Sequence, residues 1–576
     1  MSVSMKLTNE AFRLKLEYAA CEPEKLGTLV AARRDSAAFQ VIVNADSGYS
    51  LTKGLNDWYS AKRRVYGPFT RLRLAVESPF PVKMDLEEFV TDDDLIEKAD
   101  ILLGCETRES APNTPSAMWV ELEVPADAKP GDYEIKVTLF ASDYNSDERV
   151  VATETVRLKV YDVLLPEARD VSFYLDLWQH NSNIARKHDV PLWSDEHFAV
   201  IEKYVSAISE LGQKSITVVA SEIPWAGQGC YVEHKYGGDL YEYSCISITK
   251  ELDGSFSYDF SKMQRYIDLC TSYGISGDIE VIGLVNIWDQ KPMGAAKLIE
   301  DYPEMIRLRY FDKTDACFKY VRRTEEFFDY VKALERYFIT TGQIERVRIA
   351  ADEPADMEKY RKSITGILSV APSFRLKTAI NHVEFIEEFG DNIDDFAPYI
   401  RCASEEYDRL ISYKRENAGK KFLWYVCCFG ANPNTYVRSP LIESRIIGIL
   451  TDAMRFDGFL RWNFTVWPDD PRKDIRYGGF EAGDTNFVYP AYNGAPLLSL
   501  RYKNLRRGIF DFEIIQMVRK HCGSEVAESL VEKVIFVRDM NKYYELMKEG
   551  KSPIFSTEWN TLNSFKEEML SLLEGK

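Results

Sequence analysis

Two adjacent carboxylates, Asp352 and Glu353, stand at the end of a short apolar segment that begins at Arg346. Pro354 follows them, and the residue before a proline favours an extended backbone. Acids this close together raise the pKa of one of them, and burial raises it further. A carboxylic acid with a raised pKa can serve as a general acid near neutral pH. The alternative interpretation is structural, because acids at a strand end also stabilise the N-terminus of the following helix.

Strands that alternate with helices are predicted around this pair, from about residue 170 onward. The predicted strands are 171–176, 215–220, 279–285, 346–350, 376–380, 398–402, 421–427 and 458–465, and the predicted helices include 197–211, 261–273, 322–339 and 357–368. This alternation indicates a parallel sheet, and the number of repeats predicts a (β/α)8 TIM-like barrel. The reactive groups of such a barrel lie at the C-terminal ends of its strands.

Aromatic and polar residues follow several of these predicted strands. The candidate substrate-binding residues are Asp176, Trp178, Trp225, Asn286, His382, Tyr425, Asn463 and Trp467. A single Trp at a strand end often only fills the core, but several with Asn, Asp and Tyr are typical of a sugar pocket, where rings stack on C–H groups. His180 and His382 are interpreted as hydrogen-bonded structural residues rather than metal ligands.

The region before the barrel is predicted to be a β-sandwich. Short segments of alternating or apolar residues at 38–43, 119–124, 133–139 and 154–160 indicate antiparallel strands with one buried face. We therefore expect a sandwich domain over 1–165, a catalytic barrel over 166–500, and a C-terminal helical segment over 501–576 that packs on the barrel.

Composition excludes several classes of protein. The 576 residues carry 72 Lys and Arg against 91 Asp and Glu, a net charge of −19, which argues against binding nucleic acid or an anionic membrane. The longest apolar run, 422–431, is too short to span a membrane. The ten cysteines form neither a CxxC pair nor a Cys/His cluster. A reduced, cytoplasmic chain without a metal is expected; a secretion signal removed before residue 1 is the alternative.

The strand that ends in the acidic pair resembles the catalytic strand of glycoside hydrolase family 123 and of the wider group of domains around that family. The similarity continues, in order, in Gly458–Asn463, Trp467, Ala482–Asp484, Val488–Pro490, Ser499–Arg501, Leu505–Gly508 and Asp511–Glu513. Ala38–Gln40, Val124–Ala126 and Pro130–Gly131 resemble the sandwich domain of the same group. The similarity therefore runs over most of the chain. Ala491-Tyr492 and Lys503 depart from the pattern of the group, which bears on the details of the pocket.

The resemblance implies a retaining β-N-acetylgalactosaminidase that uses the 2-acetamido group of its substrate as the nucleophile. Asp352 would orient that group and stabilise its charge, and Glu353 would protonate the leaving oxygen and then activate water. It implies an oligosaccharide or glycoconjugate substrate and no metal or organic cofactor. The residues agree, since neighbours on one strand do not readily flank a sugar ring as a conventional retaining pair does.

Two other functions remain open from the sequence. One is a glycosidase of different sugar specificity, in which Asp352 or another strand-end acid such as Asp176 is the nucleophile. The other is a non-catalytic carbohydrate-binding protein with the same fold, which the intact carboxylate pair disfavours. The oligomeric state, the exact linkage and the pathway are not determined by the sequence.

Overall fold

The computed structural model describes residues 2–16, 23–55, 70–143, 146–224, 241–286, 297–427, 430–468, 470–476 and 479–576. Within these residues, no helix is long and apolar enough to cross a membrane, and no group of three or more His, Cys, Asp or Glu is placed to hold a metal ion. Cys270, Cys402 and Cys427, which lie in apolar stretches of the sequence, are buried, and Cys428, in the same stretch as Cys427, lies outside the described residues.

Two mostly antiparallel sheets form the N-terminal part of the chain. Their strands are β1 (Val3–Asn9), β2 (Leu29–Arg33), β3 (Asp35–Ala45), β4 (Tyr49–Thr52), β5 (Thr70–Glu77), β6 (Val82–Thr91), β7 (Glu97–Leu103), β8 (Thr107–Ser110), β9 (Ser116–Val124), β10 (Gly131–Asp143) and β11 (Arg149–Leu164). The sheet orders are β1-β3-β9-β6-β7 and β2-β11-β10-β5-β4-β8. Apolar side chains of both sheets, such as Phe39 and Leu139, are fully buried in a shared core. The four segments predicted as strands lie in β3, β9, β10 and β11.

The second part of the chain is built on parallel strands. Its strands are β12 (Tyr174–Leu177), β13 (Ile216–Val219), β14 (Ser247–Lys250), β15 (Phe256–Asp259), β16 (Ile279–Ile282), β17 (Arg309–Asp312), β18 (Cys317–Tyr320), β19 (Val347–Asp352), β20 (Arg375–Ile380), β21 (Ile393–Pro398), β22 (Lys421–Tyr425), β23 (Gly458–Arg461), β24 (Val488–Pro490) and β25 (Pro496–Leu498). Eight of them form one curled parallel sheet in the order β12-β23-β22-β21-β20-β19-β16-β13. We call the edge formed by the C-terminal ends of these strands the rim.

Helices accompany the parallel strands and close the chain. They are α1 (Asn181–His188), α2 (Asp195–Ser209), α3 (Ser261–Ser272), α4 (Thr324–Thr340), α5 (Met357–Val370), α6 (Glu384–Phe389), α7 (Ile400–Glu405), α8 (Tyr407–Glu416), α9 (Leu441–Ala453), α10 (Leu500–Cys522), α11 (Ser524–Val531), α12 (Tyr543–Glu549) and α13 (Trp559–Leu573). In α10, Arg501 pairs with Asp100 at 2.9 Å and Arg507 pairs with Glu10 at 2.8 Å. These buried ion pairs tie the C-terminal helices to the N-terminal sheets. The boundaries predicted from the sequence, after residues 165 and 500, stay a prediction.

The expectation of a closed (β/α)8 barrel is only partly met. The ladder of the parallel sheet is open between β13 and β12 among the described residues, where a single bridge joins Leu175 and Gln213. The Gln213 side chain takes the place of a strand backbone there. Leu177 N donates to Gln213 Oε1 at 2.9 Å, and Gln213 Nε2 donates to Leu177 O at 3.1 Å. The sheet is therefore curled as in a barrel, but its edge strands β12 and β13 do not form a continuous hydrogen-bonded ladder.

The structure corrects one predicted strand and adds four strands that were not predicted. The segment 398–402 was expected to be a strand, but the strand there is β21, which ends at Pro398 and is followed by α7. The sequence analysis also missed β14, β15, β17 and β18, which form a separate four-stranded sheet. This inserted sheet lies in the connections that follow β13 and β16.

Candidate active site

Strand β19 carries the acidic pair to the rim. Val347 and Ile349 are buried and hold the strand in the core. Asp352 is the last residue of the strand and pairs with Ala379 of β20. The backbone N–H of Glu353 donates to Ala379 O at 3.1 Å. Hydrogen bonding between strands thus continues up to both acids, which fixes where they leave the sheet.

The backbone at Glu353 differs from the expectation that Pro354 holds it extended. Its φ is +48°, in the left-handed region that non-glycine residues seldom adopt. The amide Nδ2 of Asn286 donates to the Asp352 carbonyl oxygen and holds the peptide between the two acids. Asn286 itself has a φ of +52°. Such strained residues cost about 1–3 kcal/mol each and concentrate at functional sites.

A buried carboxylate, Glu304, supports Asn286 from behind. Its Oε1 accepts the Asn286 backbone N–H at 3.0 Å and the Ser363 hydroxyl at 2.8 Å. Its Oε2 lies 3.1 Å from Lys359 Nζ. Glu304 is 1% exposed. The Asp352–Glu353 peptide is therefore held by a rigid chain of contacts that reaches into α5.

The Glu353 carboxyl points across the rim toward β22. The Tyr425 hydroxyl donates to Glu353 Oε1 and lies 3.1 Å from Asn381 Oδ1. Burial raises the pKa of Glu353 above its ordinary value of 4.5, although hydrogen bonds from Tyr425 and Asn381 oppose the rise. Burial also holds the pKa of Tyr425 well above 10, so its hydroxyl keeps its proton. No Lys, Arg or His nitrogen of the described chain lies within salt-bridge distance of this carboxyl.

This arrangement allows the carboxyl to hold a proton or to release it. When Glu353 is ionised, Tyr425 donates its single hydroxyl proton to the carboxylate. When Glu353 is protonated, its own O–H can donate to the Tyr425 oxygen, and the Tyr425 hydroxyl can turn to Asn381 Oδ1. Both states satisfy the buried polar groups, as buried groups require. A carboxyl with two satisfied states is suited to general acid and base work.

Asp176 and Trp178 lie in a different cluster, buried inside the curled sheet. Asp176 pairs with Lys377 Nζ and accepts the Ser215 hydroxyl at 2.5 Å. Lys377 also pairs with Glu280, whose Oε2 accepts the Trp178 indole N–H at 2.9 Å. Asp176 and Glu280 are fully buried, and Trp178 is 1% exposed. Asp176 therefore uses its oxygens on an internal lysine and serine, whereas the Glu353 carboxyl is directed along the rim.

A family model for the glycoside hydrolase 123 catalytic domain matches residues 178–518, more than half of the chain. The chain belongs to glycoside hydrolase family 123. Its structure is similar to that of a family 123 glycoside hydrolase from Clostridium perfringens, determined in a study of glycolipid glycan hydrolysis. That similarity covers 99% of this chain and 100% of the other, with a TM-score of 0.74 and 16% identity, and it shows a shared fold. A β-D-glucuronidase from Dictyoglomus thermophilum is less similar: TM-score 0.30, 12% identity, and 76% and 68% of the two chains. No curated protein sequence matches the chain.

The other predicted site residues of this family 123 member make contacts with other parts of the chain. Asn463 is fully buried, and its Nδ2 donates to Asp484 O at 2.6 Å. Trp467 is 3% exposed, packs against Tyr204 of α2 with the ring planes tilted by 59° and the centroids 5.8 Å apart, and donates to Val488 O. His382 is exposed after β20. Trp225 lies outside the described residues. Of the predicted substrate-binding residues, the structure brings Asn286 and Tyr425 into contact with the acidic pair.

Sequence reasoning missed a second buried acid near the rim, Glu242. Its Oε1 lies 3.8 Å from His180 Nδ1, and its Oε2 accepts the Ser182 backbone N–H at 2.9 Å. The other ring nitrogen of His180 donates to Trp462 O at 2.9 Å, because a carbonyl can only accept. Burial raises the pKa of Glu242 to about 7 and lowers the pKa of His180 to about 3. His180 is thus a neutral, hydrogen-bonded residue. No periodic or motif signal marked Glu242.

Proposed function

We propose that this family 123 chain is a retaining β-N-acetylgalactosaminidase that uses the 2-acetamido group of its substrate as the nucleophile. The observation that carries the proposal is the pair itself. Asp352 and Glu353 are adjacent at one strand end, and the second of them is a half-buried carboxyl with a raised pKa and no cation beside it among the described residues. Such a group can donate a proton to a leaving oxygen.

The position of the pair favours a nucleophile from the substrate. Conventional retaining enzymes place two carboxyl groups about 5–5.5 Å apart on opposite sides of the bond that breaks. Two residues joined by one peptide bond approach the sugar from the same strand end. Asp176 is a poor substitute nucleophile, because it is fully buried and paired with Lys377. The acetamido oxygen of the substrate then supplies the missing nucleophile.

The proposed reaction has two steps. In the first, Glu353 gives its proton to the glycosidic oxygen, the acetamido oxygen bonds to the anomeric carbon, and the bond to the leaving group breaks. Asp352 accepts the acetamido N–H and stabilises the positive charge that develops there. In the second step, the ionised Glu353 takes a proton from water, whose oxygen opens the cyclic intermediate. The released sugar keeps the original anomeric configuration.

The choice of galactosamine rests on the family to which the chain belongs. The test is hydrolysis of three chromogenic substrates: the β-N-acetylgalactosaminide, the β-N-acetylglucosaminide and the β-galactoside. The proposal expects cleavage of the first, weaker cleavage of the second and none of the third, which lacks the nucleophile. Cleavage of the β-galactoside would overturn the mechanism. Failure on all three would favour a carbohydrate-binding protein.

A further inference from the structure

A groove opens at the rim, beyond the C-terminal end of strand β13. It has a volume of about 480 Å³. Its walls come from the connection between α1 and α2, the residues that follow β13, and the inserted sheet of β14, β15, β17 and β18. The aromatic and charged residues of the lining that matter here are Trp193, Glu222, Arg307, Arg309 and Phe318. We call this feature the rim groove.

The rim groove is connected to the acidic pair through strand β16. On the groove side, the Ser221 hydroxyl donates to Gly283 O at 2.6 Å. Gly283 begins the connection that leads to Asn286, which holds the Asp352 carbonyl. Since β13, β16 and β19 are neighbours in the sheet, the ends of β13 and β19 are two strand spacings, about 10 Å, apart. A glycan that extends about 10 Å from the pair toward β13 would reach this groove.

The groove carries one uncompensated positive charge. Among the described residues that line the groove, Glu222 is the single acid, and its oxygens are used by Arg309 Nε at 2.8 Å and by the Tyr320 hydroxyl at 3.0 Å. In the described part of the chain, no carboxylate lies within 4.0 Å of Arg307. Its Nε–H is buried without a hydrogen-bond partner. The charge of the Arg307 guanidinium is therefore not neutralised by a carboxylate of the described chain.

Aromatic rings hold this guanidinium in place. The carbon at its centre lies 5.1 Å from the ring centroids of both Tyr241 and Tyr320. Stacking of this kind orients a guanidinium while leaving its edge free for a planar anion. Arg307 therefore needs little ordering when it binds a carboxylate or a sulfate, which favours tight binding.

Two further aromatic residues offer apolar faces in the groove. Phe318 is 66% exposed, although its ring packs against Arg309. Trp193 has a φ of +60°, an unusual conformation for so large a residue. Its backbone N–H donates to His197 Nδ1 at 3.0 Å, and His197 is anchored on Asn181 O at 2.9 Å. Strain of this kind persists only where surrounding contacts enforce it, and such residues concentrate at binding sites.

We propose that the rim groove binds an acidic sugar unit, one that carries a carboxylate or a sulfate, in the same glycan whose terminal residue occupies the acidic pair. Arg307 pairs with the anion, and Trp193 and Phe318 contact the apolar faces of the sugars. The proposal rests on the proposed function, because it concerns the remainder of the same substrate. It makes this enzyme selective for acidic glycans over neutral ones.

The test compares two oligosaccharides that differ only in charge. One is an unsulfated chondroitin tetrasaccharide with N-acetylgalactosamine at its non-reducing end and glucuronate next to it. The other is the same tetrasaccharide after reduction of its carboxyl groups to alcohols. We expect the wild type to show at least a tenfold higher kcat/KM on the acidic form, because a charged hydrogen bond is the stronger kind. This preference should shrink as the salt concentration rises.

Variants assign the preference to Arg307. In Arg307→Gln, the ratio of the two kcat/KM values should fall to about one, with most of the loss on the acidic substrate. The neutral substrate serves as the internal control for folding. Arg538→Gln, at a residue with an 80% exposed side chain in the C-terminal part, should keep the wild-type ratio. A wild-type ratio near one, or an unchanged ratio in Arg307→Gln, would overturn the proposal.

The proposed function is checked separately with an aryl β-N-acetylgalactosaminide, which is too short to reach the rim groove. If the wild type cleaves the aryl substrate but shows no preference between the tetrasaccharides, the groove proposal alone fails. If the aryl substrate is not cleaved, the proposed function fails. In that event, binding of the two tetrasaccharides measured by calorimetry decides the groove proposal, and equal affinities would overturn it.

Discussion

Two acidic clusters of the same curled sheet differ in what surrounds their carboxyl groups. Inside the sheet, Asp176 and Glu280 share the ammonium group of Lys377. At the rim, Glu353 has a phenol and an amide as its partners, Tyr425 and Asn381, and burial raises its pKa. The residue types alone do not separate the two clusters. The neighbours do, because the interior carboxyl groups are engaged by a buried ammonium group, whereas the Glu353 carboxyl has only uncharged partners. A raised pKa is common to both clusters, since burial also raises the pKa of Glu280, to about 8.

The comparison assigns different tasks to the two clusters. The interior ions are removed from water and need each other, so the cluster serves stability and the shape of the sheet. The rim pair is held by Asn286 and by the backbone of β20, so the Glu353 carboxyl can change charge without loss of the fold. Substitutions in the interior should therefore act on unfolding, and substitutions at the rim should act on turnover.

The largest expected effect is that of Lys377→Met. It leaves two buried carboxyl groups without their cation, and breaking a buried ion pair in this way costs about 3–5 kcal/mol. Urea unfolding followed by circular dichroism measures the loss. Lys332→Met removes a lysine whose side chain is 50% exposed in α4, and it should change stability by less than about 0.5 kcal/mol. Equal effects of the two variants would contradict the role of the interior cluster.

Asp352→Asn should lower kcat by a factor on the order of 10²–10³, comparable to the loss of one preorganised electrostatic partner. Its interaction with the acetamido group strengthens in the transition state, so the loss should fall on kcat rather than on KM alone. Unfolding in urea should change little. The interior counterpart, Asp176→Asn, should lower stability. A loss confined to KM in Asp352→Asn would remove Asp352 from the proposed role.

Asn286→Gly separates the contribution of the Asn286 backbone conformation from that of its side-chain amide. Glycine accepts the left-handed backbone without strain but lacks the amide that holds the Asp352 carbonyl. If the amide positions the pair, kcat should fall by roughly ten- to a hundredfold, since small misplacements of reacting groups are costly. Asn286→Ala should lose stability as well. Wild-type kcat in Asn286→Gly would show that the amide does not position the acids.

The smallest expected effect is that of Tyr425→Phe. The Tyr425 hydroxyl donates to the ionised carboxylate and lowers the pKa of Glu353, so its removal should raise that pKa further. The acid form is needed in the first step, and kcat/KM falls as the pH rises through the pKa of Glu353. The alkaline limb of the profile should therefore move to higher pH in the variant, with a loss at the optimum of roughly tenfold or less.

Tyr399→Phe is the matched control for this shift. Its ring lies 5.4 Å from the ring of Tyr425, between centroids, and the substitution likewise removes one hydroxyl group. The alkaline limb should stay where it is in the wild type. A limb that moves to lower pH in Tyr425→Phe, or that moves equally in both variants, would contradict the assignment of the raised pKa to Glu353.

The acidic pair could be predicted from the sequence because local signals mark it. An apolar segment that ends in Asp352 and Glu353 and precedes a helix shows both the strand and its functional end. Tyr425 ends a second such segment, and it is predicted for the same reason. The alternation of strands and helices likewise predicts the parallel sheet, because each strand is apolar enough to stand out.

The interior cluster could not be predicted in this way. Glu280 and Lys377 lie within strands, and their partner Asp176 is about 200 positions from Lys377 along the chain. Only the curvature of the sheet brings them together. Trp467 stays a prediction as a substrate-binding residue; its packing and the hydrogen bond from its indole N–H to Val488 O could not be predicted from the sequence. The strand at 393–398 was missed since its two aspartates, Asp394 and Asp395, hide an otherwise apolar segment.

The left-handed backbone conformation of Glu353 could also not be predicted from the sequence. The proline that follows it favours an extended conformation, and the observed conformation depends on Asn286, which a different strand supplies. The direction of the Glu353 carboxyl, and with it the contact with Tyr425, follows from this long-range hydrogen bond. Local rules therefore located the acids along the chain but not the geometry that distinguishes them from the interior cluster.

The central claim is that Glu353 delivers the proton, and the leaving-group dependence of Glu353→Gln tests it most directly. A series of β-N-acetylgalactosaminides with increasingly basic leaving groups is hydrolysed by the wild type and by the variant. The account predicts that Glu353→Gln lowers the rate of hydrolysis by a factor on the order of 10²–10⁴ for the substrate with the poorest leaving group. For the best leaving group, which departs without protonation, it predicts a much smaller decrease in the rate of the first step. A loss that is the same across the series would contradict the claim.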